Sequence, residues 1–584
     1  MNRIKIPLSR YLGLLSGYLK PQWKSVAMLY GLLIASIAMQ LVNPQIVRYF
    51  IDSAQAGAEM RQLYYAGALF IGVSLLYQLI VLVTTYLSEN IGWTATNRLR
   101  ADVASHCLRL DPSFHKSHSS GMLIERVDGD INALSNFFSK LSVMLLANLA
   151  LVIGILALLF REGWQIGLVM LVFVAAAFST LQYVRRFTAP LWIKVRAISA
   201  EFYGFLGEHL EGTEDVRASG AAGFVMNRFY GIMRRWLPLR FKAFMGFAAM
   251  WITSLVLFAI GSAVAFAISA QLYRHGAITL GTVYMIIYYT EQLSRPIEQI
   301  RTQMEDLQKA DASITRIGEL LAVRSQIEDG SGVPPAAGAS EVRFQQVVFG
   351  YEAELVTLNG LDFTLERGKT LGVLGRTGSG KTTLARLLLR FHDPREGRIT
   401  LDGRDLRDFR VGDLRRHVGM VTQQIELFQG TVRDNLTFYD ESIPDNRIEE
   451  ILRELGLGDW LSSLPLGLDA PLASNGGGLS AGEAQLLAFA RVFLTDPGVV
   501  ILDEASSKLD PATEQKIVRA TDRLVRERTC IIIAHRLATV RRVDDILILE
   551  DGRIVEHGPR AALASASGSR FSRILTTGME ELSE

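Results

Sequence analysis

Cysteine is nearly missing from this 584-residue chain, which carries Cys107 and Cys530 and no others. Two thiols make neither a disulfide framework nor a four-ligand zinc site, and they read as unpaired thiols of a reducing compartment. An excess of one charge is missing too. Lys and Arg number 61 against 59 Asp and Glu, and a net charge of +2 gives no footprint for a nucleic-acid partner. The basic start, MNRIKIPLSRYLGLLSGYLKPQWK, lacks a small-residue cleavage site before the next long apolar run, so a cleaved secretory signal is rejected. Its apolar positions (Ile6, Leu8, Tyr11, Leu12, Leu15, Tyr18, Leu19) recur at helical spacing instead, as in an amphipathic helix lying at a cytoplasmic interface.

What the chain has in abundance is apolar sequence. Hydrophobic residues make up 49%, mean hydropathy is +0.22, and the excess sits in the first half. The runs there are long enough to cross a hydrocarbon core, which needs about 20 residues of helix. Six spans are expected, near 25–50, 63–87, 140–160, 164–183, 244–271 and 279–298. Their connections alternate between short (DSAQAGAEMR, REGWQ, QLYRHGAITLG) and long. The second long one is rich in Arg and Lys, which marks the cytoplasmic side and puts both termini there. Around Gly92–Leu110 and Phe202–Tyr230 the apolar positions keep a helical period among charges, so membrane helices are expected to continue into the cytosol. Pro44 should bend the first span. Glu291, in the sixth, should face a cavity or a partner, or else lie near the cytoplasmic end, because a charge at a helix centre costs about 2.5–3.5 kcal/mol against lipid. Phe244, Phe247 and Trp251 share a face of the fifth span, a stripe expected to serve helix packing.

After Ala322 the composition shifts. EDGSGVPPAAGAS reads as a linker, and short apolar strands then alternate with helices as in an α/β domain. The expected division is a membrane domain over 1–322, a linker over 323–340 and an α/β ATPase domain over 341–584. GRTGSGKT, Gly375 to Thr382, matches the phosphate-loop pattern between a buried strand and a helix. Glycines let backbone N–H groups curl around phosphate oxygens at the positive end of a helix. Lys381 would neutralise the β- and γ-phosphates and Thr382 would place its hydroxyl on Mg2+. VVILDEA ends a strand in two acids: Asp503 would hold Mg2+ and Glu504 would polarise the attacking water. CIIIAH ends in His535, placed to reach the γ-phosphate edge.

The string LSAGE, Leu479 to Glu483, between these motifs gives the chain its family resemblance. The C-terminal domain resembles the nucleotide-binding domain of ABC transporters, and the whole chain resembles a half-transporter of type I exporter architecture. The resemblance implies a membrane α-helical domain of six spans with long cytosolic extensions, fused to an α/β P-loop NTPase domain. It implies ATP as ligand, bound by Gly375, Arg376, Thr377, Gly378, Ser379, Gly380, Lys381, Thr382 and Thr383, with Tyr351 stacking on adenine. Thr382, Asp503 and Gln423 would hold Mg2+. Gln423 would also sense nucleotide, joining Glu504 and His535 as catalytic residues, and Asp510 would stand on the loop that crosses the dimer interface. Segments around Pro112–Gly121 and Glu211–Gly220 would couple the two domains. Ser480, Ala481, Gly482 and Glu483 would meet the γ-phosphate bound by a second chain, so that ATP joins two ATPase domains and hydrolysis releases them.

The sequence departs from the family's usual LSGGQ at Ala481 and Glu483, and SSKLD departs from the commoner SALD. An altered signature beside an otherwise complete catalytic set suggests a heterodimer rather than a homodimer. Export of an amphiphile is the expected activity; an importer of the same architecture and an ATP-gated or regulatory ATPase are the alternatives. No protease-like domain precedes the spans, and short outer connections suit a bacterial inner membrane.

Overall fold

The computed structural model describes residues 17–136, 142–330, 332–352, 354–473, 478–503, 511–534 and 540–577. The chain divides into two compact units: Met1–Leu108 with Ser119–Val323, and Arg109–His118 with Arg324–Glu584. The division is not contiguous, because ten residues from the first long connection belong with the second unit.

The regular elements described in the first unit are all helices. Among the described residues, five helices are long and apolar enough to cross a membrane: α1 (Trp23–Gln55), α2 (Met60–Arg109), and, beyond the short α3 (Pro112–Ser117), α4 (Ser142–Glu162), α5 (Trp164–Glu211) and α6 (Ala222–Arg274). At 1.5 Å per residue, the 50 residues of α2 extend about 75 Å, against a hydrocarbon core of about 30 Å. The same surplus holds for the 48 residues of α5 and the 53 of α6, whereas the 21 of α4 match one crossing. The apolar runs within α2, α5 and α6 are therefore parts of much longer rods. The sixth expected span is interrupted: α7 (Leu280–Gln292) ends at Leu293 and α8 (Ser294–Ala322) begins. Pro296, in the first turn of α8, has no N–H for the Gln292 carbonyl, and this costs the helix its continuity. Helix α1 runs on through Pro44, which is buried.

Packing uses close approach as well as apolar bulk. Leu29, Leu33, Ile155, Leu159, Met170, Met285 and Ile286 form the centre of the helical core. A side chain on Gly154 would meet Leu41, and one on Gly261 would meet the ring of Phe173, so small residues let these helices touch. Polar ties join the helix ends. Arg48 Nη1 donates to Glu162 Oε1 at 2.5 Å, Gly281 N donates to Asp52 Oδ1 at 2.8 Å, and Thr279 Oγ1 donates to Asp52 Oδ2 at 2.8 Å. Phe244, Phe247 and Trp251 depart from expectation. All three stand exposed on α6, so the stripe is not spent on packing within this chain. Glu291 is exposed on α7, opposite buried Gly281, Thr282, Met285, Ile286, Tyr289 and Thr290.

The far end of α8 is held by a carboxylate. After a π-helical turn, Glu125–Asp130, Asp130 is 3% exposed and accepts from Ser313 Oγ and from Arg316 Nε, each at 2.9 Å, and again from Arg316 Nη2. His106 Nε2 lies 3.0 Å from the Leu320 carbonyl one turn further on.

The second unit is α/β. An antiparallel sheet runs in the order β2 (Leu358–Leu365), β1 (Val342–Phe349), β4 (Glu396–Leu401), β5 (Arg404–Asp405). A six-stranded sheet runs β12 (Arg553–Pro559), β11 (Asp545–Glu550), β3 (Thr370–Leu374), β10 (Thr529–Ile533), β9 (Val499–Asp503), β6 (Val418–Val421). All neighbours in it are parallel except the edge pair β11–β12. Strands β3, β9 and β10 are buried throughout, as interior parallel strands covered on both faces must be. The stretch expected as a linker lies along this unit: Gly330 N donates to the Phe409 carbonyl and Gly332 N to that of Asp408. Cys107 and Cys530 are both buried, and burial pushes the Cys530 thiol up to about 12.

Asp130→Ala strips Ser313 and Arg316 of their acceptor. Because the Arg316 side chain keeps 45% of its exposure, water compensates it in part, and the expected loss is about 2 kcal/mol rather than that of a fully buried pair. A thermal melt of the purified chain in detergent checks this: an unchanged midpoint would show that the clamp carries no stability.

Candidate nucleotide site

Strand β3 ends at Leu374, and the chain turns into α9 (Lys381–Leu388) through Gly375 (φ 151°), Gly378 (φ 86°) and Gly380 (φ 103°). That left-handed backbone favours glycine. Added Cβ atoms would also collide, at Gly375 with the Leu549 carbonyl and Ser379, and at Gly380 with Leu358. The loop is thus closed against the sheet on one side and opens on the other. Lys381 is 6% exposed, and its Nζ donates to the carbonyls of Gly375 at 2.6 Å and Arg376 at 2.8 Å. Burial holds this ammonium below its usual pKa, opposed by the nearby Asp503 carboxylate. The Ser379 hydroxyl is buried without a hydrogen-bond partner. A desolvated cation, an orphaned hydroxyl and the unpaired N–H groups of a helix start make a cradle for a polyphosphate.

Sheet register delivers the acid. Val373 lies opposite Ile533, and Ile533 opposite Asp503, so the tip of β9 stands two strands, about 10 Å, from the strand that feeds the loop. Asp503, Lys381, Thr382, Thr383, Thr377, Gly378, Gly380, Gln423 and Tyr351 all line one cleft of about 840 Å³. Thr382, Asp503 and Gln423 bring a hydroxyl, a carboxylate and an amide to this cleft, oxygen donors of the hard type that would suit Mg2+. The structure also brings in Thr357, Arg386, Phe391, Met420, Thr422 and Gln424, which sequence reading missed. Arg386 carried a usable signal: it follows Lys381 by five residues on the same helix, and its Nη1 donates to the Tyr351 hydroxyl at 3.2 Å. The Tyr351 and Thr383 hydroxyls share a hydrogen bond of 3.3 Å, and the Tyr351 ring meets Phe349 and His392 edge-on.

The LSAGE segment is not part of that cleft. Ser480 caps α10 (Ala481–Thr495) in a capping box: Glu483 N donates to Ser480 Oγ at 3.2 Å, and Glu483 Oε2 accepts from Ser480 N at 2.8 Å. The same carboxylate oxygen accepts from Ser480 Oγ at 2.9 Å. The carboxylate therefore folds back on the helix start, and Ala481 and Gly482 follow as its first turn. Glu504, Asp510 and His535 lie outside the described residues.

A cleft of this form defines a phosphate-loop nucleotide-binding protein. Comparisons with known proteins narrow the class. The ABC transporter family model matches residues 358–507, and the model of the ABC transporter transmembrane region matches residues 26–297. The chain is 30% identical over 562 residues to the uncharacterized ABC transporter ATP-binding protein YknV of Bacillus subtilis, covering 95% of this chain and 92% of that one. It is also 30% identical over 560 residues to an ATP-dependent lipid A-core flippase of Yersinia pestis, covering 92% and 94%. A solved bacterial Atm1-family ABC exporter with ATP bound has the same fold, with a TM-score of 0.80 at 24% identity over 96% of this chain and 99% of that one. The chain belongs to the ABC transporters, as a half-transporter of the exporter type with one membrane region fused to one ATP-binding domain.

Lys381→Met removes the buried charge that the cradle is built around. Loss of a charge-assisted phosphate contact of about 1.5–3 kcal/mol should weaken ATP binding by roughly 10- to 100-fold. Titration calorimetry with ATP is the check, and wild-type affinity in this variant would refute the placement of phosphate at Lys381.

Proposed function

We propose that the chain uses ATP to export an amphiphilic molecule from a bacterial cell, as one half of a two-chain transporter in the cell membrane. The observation that carries this reading is the separation of the site into two parts. Lys381, Thr382, Asp503 and Gln423 share one cleft, while Ser480 caps a helix that contributes nothing to its lining. A nucleotide held by the first set still exposes its terminal phosphate to a second chain's signature segment. In this reading the phosphate loop binds the triphosphate and Tyr351 takes the base. Asp503, Thr382 and Gln423 would hold Mg2+, which when bound would supply positive charge to offset that of the phosphates. Glu504 polarises the attacking water, His535 meets the γ-phosphate edge, and Asp510 lies on the loop between the two ATPase domains. Closing and opening of the pair drives the membrane helices between inward- and outward-facing states.

The pair is a heterodimer in this proposal. Glu483 supports it: its carboxylate occupies both donors of Ser480 and sets a negative charge beside the place meant for a phosphate. The LSAGE segment then makes the weaker of two composite sites, and Glu504 serves the stronger one. Cargo chemistry is suggested by α7. Tyr284, Tyr288 and Glu291, with Arg295 beyond the break, form an exposed stripe opposite the buried face. Two charges there are too costly to face lipid, at about 2.5–3.5 kcal/mol each, so the stripe suits a cavity that takes a molecule with both apolar and charged groups.

Mg-ATP hydrolysis by the chain alone in lipid nanodiscs, with Glu504→Gln as the blank, tests the pairing. The expected result is turnover close to the blank, rising when a partner chain is added. Robust turnover by the chain alone would establish a working homodimer and remove the heterodimer reading. Glu483→Gln keeps the capping geometry but loses the charge, and it should raise turnover severalfold in whatever pair is active. For the cargo, Glu291→Gln should lower drug- or lipid-stimulated hydrolysis while basal hydrolysis persists; identical stimulation curves would take Glu291 off the path.

A further inference from the structure

The segment Arg109–His118 clusters with the ATP-binding unit although it is threaded between two membrane helices in sequence. Its anchor is Asp111, 9% exposed, which accepts from Ser325 Oγ at 2.5 Å and from Gln326 N at 2.6 Å. The six residues of α3 that follow carry Lys116 outward, and its Nζ stands 4.9 Å from the centroid of the Tyr351 ring. A cation over an aromatic face at that distance is attracted by the ring's quadrupole. Tyr351 borders two cavities in this structure: the phosphate cleft, and a smaller one also lined by Asp111, Ser113, Phe349, His392 and Asp393. Lys116 is not among the residues lining the phosphate cleft.

We propose that Lys116 is a positioning residue for the nucleotide base: adenine stacks on the cleft side of Tyr351 while Lys116 backs the ring, so that base binding and docking of segment 109–118 strengthen one another. This rests on the reading of Tyr351 as the base platform. The physical argument is charge distribution. A cation behind the ring draws its π-density away, and the open face then stacks better on an electron-rich purine. The ring is held for that task, because Arg386 and Thr383 fix its hydroxyl while Phe349 and His392 fix its edges. Among the groups around it, burial and then the nearby Arg386 guanidinium hold His392 below its usual pKa, which leaves its imidazole neutral at pH 7 and no rival to Lys116 for the ring. Linkage makes the effect reciprocal. Whatever factor Lys116 adds to base affinity, a bound base adds to the docking of the segment that follows α2 in the chain. The base would thereby report nucleotide occupancy to the membrane helices by a route that does not pass through Gln423.

Binding is measured on the full chain in a Glu504→Gln background, so that ATP stays intact, with ATP and inorganic tripolyphosphate as the two probes. Lys116→Met should weaken ATP binding by about two- to five-fold, the range of an exposed cation–π contact, and leave tripolyphosphate binding unchanged. Lys116→Arg should restore ATP affinity. Hydrogen exchange supplies the reciprocal readout: ATP should protect residues 109–118 in the parent, and less so in Lys116→Met by the same factor. Unchanged ATP affinity in Lys116→Met, or an equal loss for both probes, overturns the proposal, the second because it marks a general electrostatic effect. Tyr351→Ala separates the underlying reading. It should cut ATP affinity while sparing tripolyphosphate, and if it does not, Tyr351 is not the base platform and the proposal falls with it.

Discussion

The buried ammonium of Lys381 is the interaction on which the ATP-binding unit turns. A cation at 6% exposure, held by two carbonyls of its own loop, is costly without an anion, and the surrounding architecture is what a phosphate requires. Interior parallel strands fix the loop from behind, the glycines give it left-handed turns that side chains rarely adopt, and α9 aims its free N–H groups at the opening. Sheet register then sets Asp503 within electrostatic reach, one strand beyond β10. Replace any of these and the ammonium loses either its position or its reason to be there.

The same economy explains why the chain is built as two units with long rods. A helix of 50 residues is far more than a bilayer needs, and its surplus length gives the chain something rigid outside the membrane. The clamp of Asp130 on Arg316 and Ser313, with His106 on the Leu320 carbonyl, ties the last helix of the first unit to the first long connection. The two elements are thereby tied at their ends by buried and half-buried polar contacts.

Much of the architecture was legible in the chain. The phosphate loop, the acid-tipped strand and the run of apolar segments are local patterns whose chemistry dictates spacing, and Lys381, Thr382, Gln423, Asp503 and Tyr351 come together as their motifs implied. The sixth span is a partial exception: Pro296 breaks it into α7 and α8, although the proline was visible in the sequence. The aromatic stripe of Phe244, Phe247 and Trp251 misled because helical periodicity says which residues share a face, not what covers that face.

What the sequence determined by itself is the local chemistry: which residues form the phosphate-loop motif, which strand carries the acid, and which stretches are apolar enough for a membrane. Those follow from residue type at short range, where backbone geometry leaves little choice. What tertiary structure decided is adjacency across long stretches of chain. Lys116 meets Tyr351, Asp111 meets Gln326 and Asp130 meets Arg316 because helices of 48 to 53 residues return the chain to places far apart in sequence. No periodicity encodes such meetings. They arise from the lengths of rigid elements and the angles at which they pack, and that geometry exists only in the folded chain.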